Sequence, residues 1–319
     1  MKAARIISPR KFEVFDEKEP DLPDGKVLVK LERAALCGSD YPYFQYDFNP
    51  ASYPLPPGYP GHECCGVVYK SRSAQFREGE RVMYYPPALD GYKEGHVADP
   101  ARLQRLPAES SIDINILLMT QVLGCVSHAV FRIDRPYGQN IVVMGQGPIG
   151  LLFTAQMKRQ GARRVIAVDM LDYRLAAAKK MGADETINPG KENLDARVKE
   201  LTGGTMADIV IDAYGQKSEV INRCFDIARH GGQVAFFGIC LEESPKLSFN
   251  TFFRKELRMV ASVGPDLAVD YPYALDMITR GAVDVSPIVT HSMPFEKIQR
   301  AFEMSVARED NVIKVVLEF

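Results

Sequence analysis

Two short clusters early in the chain and one glycine-rich turn near its middle hold the residues that could do chemistry. Cys37-Gly38-Ser39-Asp40 offers a thiolate, a hydroxyl and a carboxylate, and Gly61-His62-Glu63 offers an imidazole and a second carboxylate. Thiolate sulfur and imidazole nitrogen are donors that zinc selects, and a catalytic zinc site keeps one position open for substrate. Gly145-Gln146-Gly147-Pro148-Ile149-Gly150 has the glycine spacing of a pyrophosphate cradle. Its first glycine allows a tight turn, its second lets backbone approach the phosphates, and its third lets helix pack on strand. A metal that polarises an oxygen and a cradle for a dinucleotide are together the parts for moving a hydride to or from an alcohol.

The glycine turn has meaning only between a strand and a helix, and the flanking residues supply both. Ile141-Val142-Val143-Met144 reads as a buried strand, residues 151–160 as a helix closed by Gly161, and Val165-Ile166-Ala167-Val168 as a second strand. Asp169 ends that strand, about 20 residues beyond the turn, where an acid accepts from the adenosine ribose hydroxyls. A carboxylate there repels a 2′-phosphate, so the expected cofactor is NAD. Arg174, with Arg163 and Arg164 before the strand, is the counter-argument, since an arginine swung over the adenosine would tolerate that phosphate.

The alternation continues with a helix over 171–180, a strand at Ile209-Val210-Ile211, a helix to Ala228 that Ser218 could cap, and strands at 234–237 and 257–263. Such repetition predicts a parallel, doubly wound sheet. The first 120 residues differ: alternating runs at 26–31, 66–69 and 81–85 are separated by turns such as Pro54-Leu55-Pro56-Pro57-Gly58-Tyr59-Pro60-Gly61, an antiparallel β texture. Helices are expected over 273–280 and 295–307, and a last strand over 312–317.

Length and composition narrow the classes. A chain of 319 residues exceeds the roughly 250 that one core supports, so about two domains are expected. The net charge of −2 gives no electrostatic case for nucleic acid or an anionic membrane surface. Charge and proline interrupt the N-terminal residues before a signal core could form, and no apolar run approaches the ~18 residues of a membrane span; the expectation is a cytoplasmic protein. Cys37, Cys64, Cys65, Cys125, Cys224 and Cys240 are too scattered for a disulfide framework. Cys64 and Cys65 follow His62 closely, but only one of two successive side chains can share its face, so both read as small buried hydrophobes. His96, His128, His230 and His291 have no ligand-spaced partners and read as structural or surface residues.

In this order and spacing, the motifs resemble the zinc-dependent medium-chain dehydrogenases, the family of alcohol, sorbitol and threonine dehydrogenases, over nearly the whole chain. The resemblance implies an α/β protein in which a doubly wound parallel Rossmann domain for NAD, residues 122–264, is inserted in a β-rich GroES-like catalytic domain made of residues 1–121 and 265–319. It implies one catalytic zinc on Cys37 and His62. Asp40 would accept from the far nitrogen of His62, and Ser39 would bond the substrate oxygen and pass its proton outward. Glu63 would sit beside the metal as an alternative or water-mediated ligand. Lys314 aligns with a basic residue that contacts the pyrophosphate in relatives, although a solvated surface lysine is an equal reading.

Three departures stand out. The relatives' third protein ligand, a Cys or Glu seven residues before His128-Ala129, is here Gln121, a neutral carbonyl donor, which leaves Cys37 the only anionic ligand unless Glu63 joins. The relay histidine two residues past the Asp is Pro42, which has no proton to move, so release would run from Ser39 to water or a ribose hydroxyl, with Tyr41 or Tyr43 nearby. Residues 83–96, where many relatives hold a structural zinc, contain no cysteine, so no second zinc is expected.

The activity implied is reversible oxidation of a secondary alcohol to a ketone. The Cys-Gly-Ser-Asp and Gly-His-Glu forms are closer to the sorbitol and threonine branch, and Tyr41, Tyr43, Phe44, Gln45, Asn49 and Tyr85 mix rings with hydrogen-bonding groups in a way that suits a polyol, sugar or cyclitol. Two other readings stay open. One is a zinc-free NADPH-dependent quinone or enone reductase, against which Cys37, His62 and Asp169 speak. The other is a non-catalytic nucleotide-binding relative with a degraded metal site, which Gln121 and Pro42 keep open. Relatives associate as dimers or tetramers, which implies a homo-oligomer.

Overall fold

The computed structural model describes residues 1–46, 52–108 and 111–319; Asn49 lies outside them. In chain order the elements are β1 (Lys2–Ser8), β2 (Lys11–Asp16), β3 (Val27–Ala35), α1 (Tyr41–Gln45), β4 (Glu63–Ser71), β5 (Arg81–Tyr84), β6 (Gly95–Ala98), β7 (Leu103–Arg105), α2 (Ile114–Leu118) and α3 (Thr120–Val130). There follow β8 (Asn140–Met144), α4 (Pro148–Arg159), β9 (Arg164–Val168), α5 (Asp172–Lys180), β10 (Glu185–Ile187), α6 (Leu194–Leu201), β11 (Ala207–Asp212), α7 (Ser218–Ile227), β12 (Ala228–Phe236), α8 (Phe249–Arg254) and β13 (Arg258–Ala261). The chain closes with α9 (Asp270–Thr279), β14 (Val289–Pro294), α10 (Ile298–Ala307) and β15 (Lys314–Glu318). These elements form two compact units, one from Met1–Gln121, Tyr271–Ala282 and Val289–Phe319, the other from Val122–Asp270 and Val283–Ile288. The return to the first unit thus comes after Asp270, not at Gly264, and residues 283–288 pack with the second.

In the first unit β3 is the organising strand. Its apolar run Val27-Leu28-Val29, broken by the exposed Lys30, is buried, and β3 pairs antiparallel with β4 along nearly its whole length. Its other edge is shared, with β6 on residues 27–30 and β15 on residues 33–35. Ala35 therefore lies opposite Glu63 on one side and Val316 on the other. The sheet runs β14-β15-β3-β4-β5-β7. Phe302 of α10 packs its ring 4.8 Å from Phe12 and 5.2 Å from Phe44, fixing α1 to the core. Phe44 is 1% exposed, so it is a core residue and does not line an open site, contrary to the expectation that grouped it with the tyrosines.

The second unit is a six-stranded sheet ordered β10-β9-β8-β11-β12-β13, every pair parallel. Numbered within the unit this is 3-2-1-4-5-6, the order of dinucleotide-binding sheets, which place the ligand where the strand order reverses, here between β8 and β11. Strand β8 is buried at all five residues, as expected of a strand covered on both faces. Lys255 closes α7: its ammonium donates to the carbonyls of Phe225, Asp226 and Ala228, three groups that the helix end leaves without a partner. Ser218 is the first residue of α7 and Lys217 occupies the cap position, so the expected serine cap is not formed. No helix among the described residues is long and apolar enough to cross a membrane.

Candidate metal centre and nucleotide loop

The end of β3, the start of β4 and the start of β15 meet at one corner of the first unit, and the metal-type side chains gather there. One ligand atom from each of Cys37, His62 and Glu63 lies within 4.8 Å of the other two. Cys37 follows β3 in a turn closed by the Asp40 N–H donating to the Cys37 carbonyl at 3.0 Å, with Ser39 half-buried inside it. His62 ends the proline- and glycine-rich loop, which is laced to its neighbours: Gly58 N–H donates to Ala4 at 2.7 Å, Tyr92 N–H to Gly58 at 2.9 Å and Gly91 N–H to Gly61 at 2.8 Å. A Cβ on Gly61 would stand 2.9 Å from the Tyr92 nitrogen, so only glycine lets the loop lie this close.

The His62 ring is oriented by acceptors on one side. Its Nδ1 lies 3.4 Å from Asp40 Oδ1 and 3.1 Å from the Pro60 carbonyl. Both are acceptors, so the proton sits on Nδ1 and Nε2 is left as the ligand nitrogen. Burial works against a charged imidazole, but the Asp40 carboxylate and the Cys37 sulfur outweigh it and hold His62 well above its ordinary value. Asp40 is itself held, its Oδ2 accepting from the Cys37 N–H at 2.9 Å and from the Tyr92 hydroxyl at 2.5 Å. Burial and that carboxylate push the Tyr92 phenol well above its usual range, so it remains a donor. Tyr92 was not legible as a site residue in the sequence, because only the pairing of its segment with the Gly58–Gly61 loop brings it to Asp40.

Lys314 sits at this corner. Its ammonium lies 2.8 Å from Glu63 Oε1 and 2.6 Å from Oε2, and donates to the Leu36 carbonyl at 2.9 Å. Both side chains are 2% exposed, so the solvated surface lysine is excluded, and the partner is a carboxylate of the first unit. Gln121 is buried in the first turn of α3, the last residue of the first segment of the same unit. Of the tyrosines, Tyr41 bonds Ser305 and is pushed up to about 12 by burial. Tyr43 meets Tyr59 edge-on at 5.0 Å, and Tyr85 stands 6.1 Å from the His62 ring. Cys64 and Cys65 are buried in β4, where burial raises both thiols.

In the second unit the glycine turn joins β8 to α4. Gly145 has φ +88°, and a Cβ there would stand 3.0 Å from that of Tyr214. At Gly150 a Cβ would come 1.8 Å from the Gly145 carbonyl, so helix and turn close only on glycine. Gly147 caps α4 with Pro148 next, the arrangement that turns free N–H groups toward an anion. Around Gly147 the nearest atom to an added Cβ is Arg174 Nη1 at 3.9 Å. Asp169 binds the turn, Oδ2 accepting from Gln146 N–H at 2.7 Å and Oδ1 from Leu171 N–H at 2.9 Å, and Arg174 Nη1 lies 3.8 Å from Oδ2.

Past the switch point, the ends of β12 and β13 border a cleft of about 360 Å³ lined by Phe236, Phe237, Ile239 and Val263. His128 and Arg132 form its polar wall. His128 Nδ1 lies 2.8 Å from Asp270 and its Nε2 accepts from Arg132 at 3.0 Å, which makes this histidine a link in a charged chain at a cleft. No local spacing announced that chain, since Asp270 is 142 residues away. His96 is buried against Tyr84, His230 is exposed beside Glu256, and His291 bonds Thr290.

Comparison with known proteins gives the family and the fold. Residues 23–100 match the model of an alcohol dehydrogenase GroES-like domain, and residues 148–280 that of a zinc-binding dehydrogenase. The chain is 26% identical to an L-threonine 3-dehydrogenase of Chromobacterium violaceum, with 100% of both chains covered. It is 26% identical to a sorbitol dehydrogenase of Bacillus subtilis, covering 99% of this chain and 97% of that one. A solved Escherichia coli oxidoreductase of unknown specificity superposes with a TM-score of 0.88 at 26% identity, covering 100% and 99%. With a GroES-like domain followed by a parallel Rossmann sheet, the chain belongs to the zinc-dependent medium-chain dehydrogenases, a family of oxidoreductases.

Proposed function

We propose that the protein oxidises a secondary alcohol of polyol, sugar or cyclitol type to a ketone, reversibly, with one zinc and NAD. The observation that carries this reading is the convergence of Cys37, His62 and Glu63 within 4.8 Å. The donor set fits zinc: a thiolate, an imidazole whose Nδ1 side faces Asp40 and Pro60, and a carboxylate alongside, with Gln121 as a further carbonyl donor in the same unit. A buried acceptor without a hydrogen bond, Asp40 Oδ1, faces the His62 ring and supports its role as orienting group.

Bound there, zinc would supply Lewis acidity and NAD a hydride acceptor. The rest is done by the chain. Cys37 and His62 hold the ion, and Asp40 and Pro60 keep the His62 proton on Nδ1. Tyr92 and the Cys37 N–H keep Asp40 in place. Ser39 takes the proton of the substrate hydroxyl and passes it to water or a ribose hydroxyl, since Pro42 offers no onward carrier. Tyr43 and Tyr85 supply polar edges for further hydroxyl groups.

For the cofactor, Gly145, Gly147, Pro148, Ile149 and Gly150 cradle the pyrophosphate at the start of α4, and Asp169 receives the ribose hydroxyls. The proximity of Arg174 to that carboxylate, 3.8 Å, partly neutralises a cation that would favour a 2′-phosphate. The cleft at the ends of β12 and β13 would receive the nicotinamide end. Six free cysteines fit a reducing, cytoplasmic setting, and a homo-oligomer is the expected assembly. Fluorescence titration with NADH and NADPH, beside a panel of secondary alcohols and polyols, tests the reading. NADH should bind more tightly and a polyol should turn over; tighter NADPH binding would replace Asp169 by Arg174 as the deciding residue.

A further inference from the structure

Glu63 is the carboxylate at the metal corner that has a counter-ion. Asp40 has its Oδ2 bonded by a backbone N–H and a phenol and its Oδ1 turned to the His62 ring, whereas both oxygens of Glu63 lie within 2.8 Å of the Lys314 ammonium. The pair is set by topology: Glu63 opens β4 and Lys314 opens β15, on either side of β3. Leu36, which follows β3, anchors the lysine from the third direction through its carbonyl. An ammonium this deeply buried is tolerated only while its donors stay partnered, and so is a buried carboxylate. The lysine therefore has no cheap alternative to Glu63, and it straddles the same oxygens that a metal would use.

We propose that Lys314 is a positioning residue that withholds Glu63 from the metal, so that the carboxylate enters the inner coordination sphere only when the ammonium is removed. This rests on the metal reading of the preceding section and deepens it. A dication on Cys37 and His62 and the ammonium compete for one negative charge in a poorly solvated corner, where like charges repel strongly. The ammonium is tied by three contacts to two strands and wins that competition, leaving Glu63 a neighbour of the metal and the open position free for substrate. Without the ammonium, the carboxylate turns to the metal and closes that position.

Cobalt(II) substitution of the full chain tests this, because visible d–d bands report the number and kind of ligands and the thiolate-to-cobalt charge-transfer band reports Cys37 separately. Glu63→Gln should leave the d–d bands of the parent unchanged. Lys314→Met should shift and weaken them, as a cobalt ion gaining a ligand does, and should bind cobalt several-fold more tightly. The double variant Lys314→Met with Glu63→Gln should return to the parent spectrum, and Lys314→Arg, which keeps the ion pair, should never leave it. Lys314→Gln repeats the neutral case with a side chain that still reaches Leu36, should the methionine prevent folding. A spectrum altered by Glu63→Gln alone would overturn the proposal, as would neutral variants that keep the parent bands with the charge-transfer band intact. A parent without that charge-transfer band would overturn the metal reading itself, a different failure from the first two.

Discussion

The two halves of the candidate machinery are built on opposite principles. At the metal corner, function is carried by side chains from two strands and the loops beside them, mostly buried and mutually tied: Asp40 to Tyr92 and Cys37, Glu63 to Lys314, His62 to Asp40. In the nucleotide loop it is carried by backbone, and the sequence matters there mostly by what it leaves out, a Cβ at Gly145 and Gly150. A side-chain site should fail gradually as its supports are removed; a backbone site should fail at once when space is filled.

Crossed variants should break the two halves separately, and with the largest effects. Cys37→Ser should abolish both stoichiometric zinc and alcohol oxidation while NADH still binds. Gly150→Ala should do the reverse, since its Cβ would stand 1.8 Å from the Gly145 carbonyl: NADH binding is lost while metal analysis still finds zinc. Loss of both ligands in either variant would show that the halves are not independent. A smaller effect is expected from Asp40→Ala, which removes the partner of the His62 Nδ1 proton; loss of such an outer partner costs about 10- to 100-fold in metal affinity or activity. Zinc affinity measured by competition with a chelator checks this, and an unchanged affinity would remove Asp40 from the site's support.

The smallest effect on activity is expected at His96, which lies outside both halves. Burial lowers it from 6.5 to about 4, against the pull of Asp90. The folded state therefore binds fewer protons than the unfolded one between these values, and stability falls as pH drops from 6.5 to 4. The penalty reaches about 3 kcal/mol at the acid end. His96→Gln should flatten the pH dependence of the thermal midpoint in that window and leave turnover at neutral pH near that of the parent. A midpoint that keeps the same slope would assign the acid sensitivity elsewhere.

How much of this was legible in the sequence follows from the same contrast. The glycine turn is six contiguous residues between a strand and a helix, so local pattern was enough to find it, and Asp169 followed from the length of one βαβ unit. Cys37, His62 and Asp40 were legible as types because each lies in a short cluster with a turn glycine, but nothing local shows that β3 carries β4 and β15 on its two edges. Lys314 was consequently read as either a pyrophosphate contact or a solvated surface lysine, when the sheet order delivers its ammonium to Glu63. Tyr92 and the chain Asp270–His128–Arg132 were missed for the same reason: each depends on partners far apart in sequence. Phe44 was misread because alternate residues of a one-turn helix were grouped by chemistry, when packing against Phe302 puts that ring in the core.

The central claim, that Cys37 and His62 hold a catalytic zinc, is tested most directly by metal analysis of the purified full chain alongside Cys37→Ser. The account expects about one zinc per chain in the parent, as for a single catalytic site with one position open to substrate, none in the variant, and alcohol oxidation that disappears on chelation and returns with zinc. A parent free of zinc that still oxidises its alcohol with NAD, or a Cys37→Ser protein that keeps both metal and turnover, would contradict it.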